Sequence, residues 1–510
     1  MTPCTRRDML RLGGGTVAAL AAGPLGHAAE HTKPLRKPEG KGHRPMNVLL
    51  IISDTVRHDY LGCYGSPWVK TPHLDALARE SALMTRFFTA SFPTGPMRKD
   101  VHAGRFTFPY TNWSQPRATD ELVLAELAKA KGYRTAYIGD TSNSPQLRQG
   151  FDHEQVISSR ASKIGDVPAT VKLPAASRKL RIPTKRIQNI VRNAMGWDGE
   201  TDRRAPRTML AAHRWLEDQV GADAPFFLWV DTFDPHEPWD PPHYYIDRYD
   251  PGYSGDELME PAYEPADYAT PREIHHMRRM YAGELSMVDR WVGYLLDGIR
   301  RMGLADDTAI LFTSDHGFYH GEHNLIGKVQ LDRKGAICRR WPLYDTIAHP
   351  PLLVRVPGLT KGQKLAPFCQ PPDLTATMLD LMGIPAPDRV QGQSLLPVLR
   401  GERRKLRDFA VSSLTYITDA QVRCPTSFRT RDHLYIYGGD EWPSELYDLH
   451  ADPEESKNLI GSAKGQQLAR QLHAQYLDAL KSIDCPQPSL DAREEFRPTP
   501  RPKLPYRRLL

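Results

Sequence analysis

The chain encodes an α/β fold: a large, mostly parallel or mixed sheet flanked by helices, with a smaller α+β part after it. Three observations predict this. Apolar, β-branched runs alternate with helix-length amphipathic segments, the pattern of strands joined by helical crossovers. Three of those runs lead straight into an aspartate, at Asp54, Asp231 and Asp315. The 510 residues are 40% hydrophobic and 25% charged, enough apolar material for a sizeable core.

Asn47-Val48-Leu49-Leu50-Ile51-Ile52 is continuously apolar after its first residue and suits a strand buried on both faces. Pro72 to Glu80 reads as a helix, with proline at its start and Leu74, Leu77 and Ala78 apolar. Glu121 to Lys131 is an amphipathic helix that Gly132 ends, and Thr135 to Ile138 is the next strand. A helix around Thr208 to Val220 leads into strand Phe226 to Val230. The long helix Tyr281 to Arg301 feeds strand Thr308 to Thr313, which ends in Ser314-Asp315-His316-Gly317. Leu352 to Val356 is another strand. From residue 409 to 484 short strands (Ala410 to Leu414, Leu434 to Tyr437, then Glu445 to Leu449) precede a helix, Ala463 to Ile483. Residues 485–510 are rich in Pro and Arg and are expected to form a loosely attached tail.

The first 29 residues stand apart. Thr5-Arg6-Arg7-Asp8-Met9-Leu10, a weakly apolar Gly/Ala stretch and small residues at Ala28 and Ala29 resemble a twin-arginine export signal. A periplasmic or secreted protein is expected, with residues 30–45 as a linker. No other apolar run reaches the roughly 18 residues of a membrane span. Six cysteines without a C-x-x-C pair offer no cysteine zinc site. A net charge of +6 over this length does not argue for nucleic acid as a partner. Residues 160–192 hold nine Lys/Arg and one acid, Asp166, and read as a solvated basic insertion.

Open α/β sheets bind ligands beyond the carboxyl ends of their strands, so Asp54, Asp231 and Asp315 are expected on one rim. Around them, several stretches follow in a fixed order. They include Leu61-Gly62-Cys63-Tyr64-Gly65, Thr71-Pro72-His73-Leu74-Asp75, Pro93 to Arg105 and Gly132-Tyr133-Arg134-Thr135-Ala136. Asp234-Pro235-His236-Glu237-Pro238, Thr313 to Gly317 with Gly321-Glu322-His323 and Lys328, Gln391-Gly392-Gln393-Ser394-Leu395 and Glu445 to Leu449 continue the series. Together they resemble the sulfatases of the alkaline-phosphatase superfamily, from about Asn47 to Leu459. The resemblance implies a catalytic domain over residues 46–408 and an ester hydrolase acting on a small-molecule or glycan anionic ester. It implies one divalent cation (Ca²⁺, Mg²⁺ or Mn²⁺) on Asp54, Asp315 and His316.

Within that resemblance the catalytic residues would be Thr94, Arg98, His236 and Lys328. Thr94 stands where the family carries the cysteine of C-x-P-x-R that becomes formylglycine; here the stretch reads Thr94-Gly95-Pro96-Met97-Arg98. Thr94 would be the nucleophile at a helix N-terminus, with Arg98 one turn on to hold it or a substrate oxygen. Lys328 would contact the ester oxygens, and a protonated His236 would donate to the leaving oxygen. Asp231 and His323 are candidates for orienting these groups. Two further departures stand out. Thr55 replaces a second acid after the first strand, and Asp140-Thr141-Ser142 replaces Lys-Trp-His. An Asp-x-x-x-His pair of the two-metal phosphatases is absent, since His236 lies five residues after Asp231 and two after Asp234. A divalent ion on two carboxylates is near neutral, so Arg98 and Lys328 leave a site suited to a monoanionic ester. Three readings stay open: a hydrolase of sulfate or related monoanionic esters, a phosphodiesterase or phosphonate monoester hydrolase using Thr94 directly, and a silent binding protein.

Overall fold

Eight strands form the main sheet of the computed structural model. Their spatial order is Lys364–Leu365, Ala82–Met84, Leu352–Arg355, Thr308–Thr313, Asn47–Ser53, Phe226–Thr232, Arg134–Gly139 and His153–Val156. The last five run parallel, and Leu352–Arg355 runs antiparallel to Thr308–Thr313, so the sheet is mixed. Residues 46–111, 124–141, 145–158, 171–181, 184–332, 334–416 and 423–499 are described. The expected export signal, the linker and much of the basic stretch from residue 160 lie outside them. None of the described helices is long and apolar enough to cross a membrane.

The apolar run at the first strand is buried as its composition requires: Val48, Leu49, Leu50, Ile51 and Ile52 are fully covered on both faces. Each such side chain contributes about 1.5–3 kcal/mol by leaving water. One face is packed by the helices Pro72–Glu80, Arg204–Glu217 and Pro271–Arg301, the other by Thr94–Ala103, Leu124–Ala130 and Pro371–Leu381. The long helix starts ten residues before the predicted Tyr281, at Pro271. Thr270 and Glu273 form its capping box: Thr270 Oγ1 accepts from Glu273 N at 3.3 Å, and Glu273 Oε2 accepts from Thr270 N at 2.8 Å.

The second sheet runs Glu445–Asp448, His433–Tyr437, Thr426–Thr430, Phe409–Leu414 and Ser91–Phe92. It is therefore not made of residues 409–484 alone. Ser413 pairs with Ser91 and Leu414 with Phe92 in parallel register, so a strand from the first hundred residues completes the C-terminal sheet. The expected loose tail is corrected as far as residue 499. A short helix, Gln487–Asp491, precedes Arg493, which is 2% exposed and lies 3.5 Å over the Tyr416 ring. Phe496 faces His473 at 5.8 Å between ring centroids, and Ser444 Oγ donates to Arg497 O at 2.6 Å. A buried guanidinium on an aromatic face anchors what composition alone marks as disordered. Cys63, Cys338, Cys369, Cys424 and Cys485 are all free, so no disulfide joins the described residues.

Candidate active site

Strand register brings the acids together. Ile52 pairs with Thr313 on one side and with Asp231 on the other, so Asp54 and Asp315 emerge at one level from adjacent parallel strands, with Asp231 two residues deeper on the third. Neighbouring strands are about 4.8 Å apart, which is metal-ligand spacing once side chains converge. Ligand atoms of Asp54, Asp315 and His316 lie within 4.8 Å of one another, and all three residues are fully buried. Gly317 lets the Asp-His turn press against the chain, because a Cβ there would lie 2.1 Å from Thr346 O.

Thr94 opens the helix Thr94–Ala103, whose ten residues are all buried. Asp100 fixes the approach to it. One carboxylate oxygen accepts from Ser91 Oγ (2.6 Å), Thr107 N (2.8 Å) and Thr107 Oγ1 (2.7 Å), and the other accepts from Ser91 N (2.8 Å). His316 Nδ1 lies 2.8 Å from Gly317 O and so carries the ring proton, which leaves a lone pair on Nε2. Thr94 Oγ1 lies 3.4 Å from that nitrogen.

Arg98 is fully buried and binds carboxylates on three sides. Its Nε and Nη2 donate to the two oxygens of Asp231 (2.7 and 2.8 Å), and its Nη1 donates to Asp315 Oδ2 (2.7 Å) and Thr94 O (3.0 Å). Nη2 also faces Asp54 Oδ2 at 3.5 Å. The hydrogen bonds of Arg98 thus go to Asp231, Asp315 and Thr94. Asp231, expected only as an orienting candidate, also accepts from Thr141 Oγ1 at 2.8 Å.

Lys328 enters the same space. Its Nζ donates to Thr55 Oγ1 at 3.2 Å and stands 4.0 Å from Asp54 Oδ1. Thr55 is the residue that sequence reasoning undervalued. It adopts φ 64°, unusual for a β-branched side chain, and its N–H donates to Asp315 Oδ1 at 2.9 Å while its hydroxyl donates to Asp54 Oδ1 at 2.6 Å. The replaced second acid is a hydroxyl wedge between one carboxylate and the lysine. His236 packs flat on Phe233, with ring centroids 3.9 Å apart. Its Nδ1 donates to Glu237 O at 2.7 Å, leaving Nε2 unprotonated. Burial, and next the Lys328 ammonium, push its pKa well below the usual imidazole range. Without an anionic ligand beside it, the ring thus favours its neutral form.

Asp140 stands at the position of the replaced lysine. It accepts from Thr208 Oγ1 (2.9 Å), Thr232 Oγ1 (3.2 Å) and Phe233 N (2.5 Å), and so braces the turn that carries His236. Burial, then Asp234, pushes its pKa up to about 7. A carboxyl whose folded pKa exceeds its unfolded value favours the fold most at low pH. That contribution is lost as pH rises from about 4 to about 7. Asp140→Asn should accordingly gain stability relative to wild type across that window. Urea unfolding at pH 5 and pH 7.5 checks this, and a difference that stays flat with pH would defeat it. His323 is not part of the centre: it stacks on Tyr344 at 3.7 Å and makes no bond to the residues above.

A second group of possible ligands lies outside this set. His58, Asp345 and His349 offer ligand atoms within 4.8 Å of one another. Burial, then His349, pushes His58 down to about 4.

Comparison with known proteins accords with this geometry. The sulfatase family model matches residues 46–384, and the model for the C-terminal part of N-sulphoglucosamine sulphohydrolase matches residues 334–482. An ulvan-active sulfatase of Formosa agariphila is 26% identical over 84% of this chain and 80% of that protein. A choline-sulfatase of Rhizobium meliloti is 26% identical over 82% of this chain and 83% of its own length. Among solved structures, the phosphonate monoester hydrolase of Agrobacterium radiobacter shares the fold with a TM-score of 0.68 at 23% identity, covering 86% of this chain and 95% of that one. Three acids delivered by adjacent strands, a helix-borne Thr94 facing them and a family match over most of the chain lead to one assignment: the chain belongs to the sulfatase family of ester hydrolases.

Proposed function

We propose that the protein is a metal-dependent hydrolase of monoanionic esters that uses Thr94 as its nucleophile and favours phosphodiesters or phosphonate monoesters over sulfate esters. The observation that carries this reading is the placement of a single unmodified hydroxyl, Thr94 Oγ1, at a helix N-terminus 3.4 Å from His316 Nε2. The retained Asp54, Asp315 and Lys328 around it argue against the silent alternative.

The residues present fit a divalent cation. Asp54 Oδ2 is buried without a hydrogen-bond partner. Burial, then Asp315, raises the pKa of Asp54 well above the carboxylate range. Against burial, His316 and Arg98 hold Asp315 well below that range. Two such carboxylates cannot both stay ionised cheaply unless a cation joins them. Asp54, Asp315 and His316 would hold Ca²⁺, Mg²⁺ or Mn²⁺, which when bound supplies Lewis acidity and lowers the pKa of a neighbouring hydroxyl. Asp54→Asn and Asp315→Asn should each lose both the bound divalent ion and turnover. Elemental analysis of the purified variants checks this, and full occupancy in both would put the metal elsewhere.

The chain's own residues then divide the work. Arg98 is a positioning residue that locks the Thr94 carbonyl and two carboxylates. Thr94 Oγ attacks phosphorus and gives up its proton to solvent, the bond to the leaving oxygen breaks, and Lys328 offsets charge on the ester oxygens. An anionic substrate beside His236 Nε2 raises the proton affinity of that nitrogen, so the imidazole acts as the acid only in the complex. Water then attacks phosphorus, passing a proton to the His236 imidazole, and expels the Thr94 oxygen, which takes a proton back from solvent, for a net addition of water across the ester. His236→Ala should slow alkyl esters by about 10²- to 10⁴-fold while sparing p-nitrophenyl esters, whose leaving group needs no proton. Equal losses on both would remove the acid role.

The reading is tested on one metal-replete sample assayed with matched aryl phosphodiester, phosphonate monoester and aryl sulfate. Sulfate turnover above both phosphorus esters would overturn the preference.

A further inference from the structure

The segment after the first strand carries a convergence of ligating groups that the ester chemistry does not use. His58 lies four residues past Asp54, in the single turn His58–Tyr60. Asp345 begins the one-turn helix Asp345–Ala348, and His349 follows it directly. Among the described residues, none of the three bonds to Asp54, Thr94, Arg98, Asp315, His316 or Lys328.

Counting protons exposes the conflict in this cluster. His58 Nδ1 lies 2.8 Å from the carbonyl of His349, so it carries hydrogen and Nε2 keeps a lone pair. That lone pair faces Asp345 Oδ2 at 3.7 Å, one acceptor against another. His349 Nδ1 lies 3.2 Å from both Asp345 oxygens, while its Nε2 is buried without a partner. With the proton on Nδ1, the Nε2 lone pair of His349 has no donor. With the proton on Nε2, the Nδ1 lone pair points at a carboxylate. Either tautomer leaves an imidazole lone pair unsatisfied, and a cation shared among the three groups removes the conflict.

We propose that His58, Asp345 and His349 form a second metal site, selective for a borderline ion such as Zn²⁺ over Ca²⁺ or Mg²⁺. Two imidazoles and one carboxylate are a nitrogen-rich set, whereas the hard ions prefer oxygen alone. The backbone carbonyl held by His58 Nδ1 is the outer partner that typically fixes a ligating ring. Asp345 is anchored by its own N–H, which donates to Glu455 Oε2 at 2.8 Å. Arg429 stands 3.6 Å from Asp345 Oδ1 but is paired with Glu455, so the carboxylate is not consumed by it. The side chains of His58, Asp345 and His349 are 18, 31 and 10% exposed, which admits an ion and a completing water. The site joins the turn after the first strand to the turn before Leu352–Arg355, and the proposal stands whatever the role of Thr94.

The experiment uses full-length protein stripped with chelator and then supplied with excess Mg²⁺ for the reaction centre. Zn²⁺ is titrated by calorimetry, and Co²⁺ by visible absorption. One further equivalent of Zn²⁺ is expected, with the intense visible bands of low-coordinate Co²⁺ and a raised Tm. His58→Gln and His349→Gln should each weaken Zn²⁺ binding by more than about 100-fold, the upper end of what loss of an outer partner costs. Both should keep ester turnover and the metal-free Tm of the parent. Asp345→Asn carries the same expectation if either histidine variant fails to fold. Absence of the further equivalent overturns the proposal, as does parental Zn²⁺ affinity in a folded variant.

Discussion

Thr94→Ala should cut phosphodiester turnover by on the order of 10⁴- to 10⁶-fold, the scale seen when a covalent nucleophile is removed. Thr94→Ser should keep part of the activity, because the hydroxyl stays at the first residue of the helix. The argument turns on the second half of the reaction. A formylglycine hydrate has two hydroxyls, so one can attack sulfur and the other can expel sulfate by C–O cleavage. Threonine has one, and that exit is closed. Its adduct must be released by water attacking the central atom, which phosphorus accommodates. Thr94→Cys, co-expressed with a formylglycine-generating enzyme, therefore has a distinct expected result: a rise in aryl sulfate turnover relative to phosphodiester turnover. Robust sulfate-ester turnover that survives Thr94→Ala would falsify the nucleophile assignment and reduce Thr94 to a helix terminus.

Arg98→Ala should lower the free energy of unfolding by about 3–5 kcal/mol, the usual cost of leaving a buried charge partner uncompensated. Asp231 and Asp315 would lose their direct bonds, and Asp54 would lose the cation 3.5 Å away. Arg98→Lys should recover only a part. A lysine ammonium is a single point charge and cannot bind Asp231 through two parallel N–H groups while also reaching Asp315 and the Thr94 carbonyl. Urea unfolding of both variants, with and without divalent ion, measures this. A loss below 1 kcal/mol in Arg98→Ala would show that the three carboxylates tolerate one another without the guanidinium.

The sequence made the sheet strands and the converging acids legible for a simple reason. A parallel strand buried on both faces must be continuously apolar, so its end is marked by the first polar residue, as at Asn47 to Asp54 and Thr308 to Asp315. Arg98 was legible as a neighbour of Thr94 but not in its partners. Spacing along a helix puts it on the face of Thr94, yet only strand register reveals that Asp231 and Asp315 lie opposite. Thr55 was legible only as a missing acid, because a positive φ on a β-branched residue has no sequence signature. The short strand Ser91–Phe92 escaped prediction because two residues carry no periodicity and its partner is remote in the chain.

That remote pairing bears on when the protein becomes active as it is made. Thr94 follows two residues after a strand that docks on Ser413 and Leu414, 322 positions later from Ser91 to Ser413. At about 5–20 residues per second of synthesis, the partner strand emerges roughly 20–60 s after Thr94. A nascent chain that already displays Asp54, Thr94 and Asp315 thus lacks the strand that holds the entrance to the Thr94 helix in place. Ribosome-bound chains stalled before residue 409 should be inert, and activity should switch on only once the end of the chain has folded back onto its beginning.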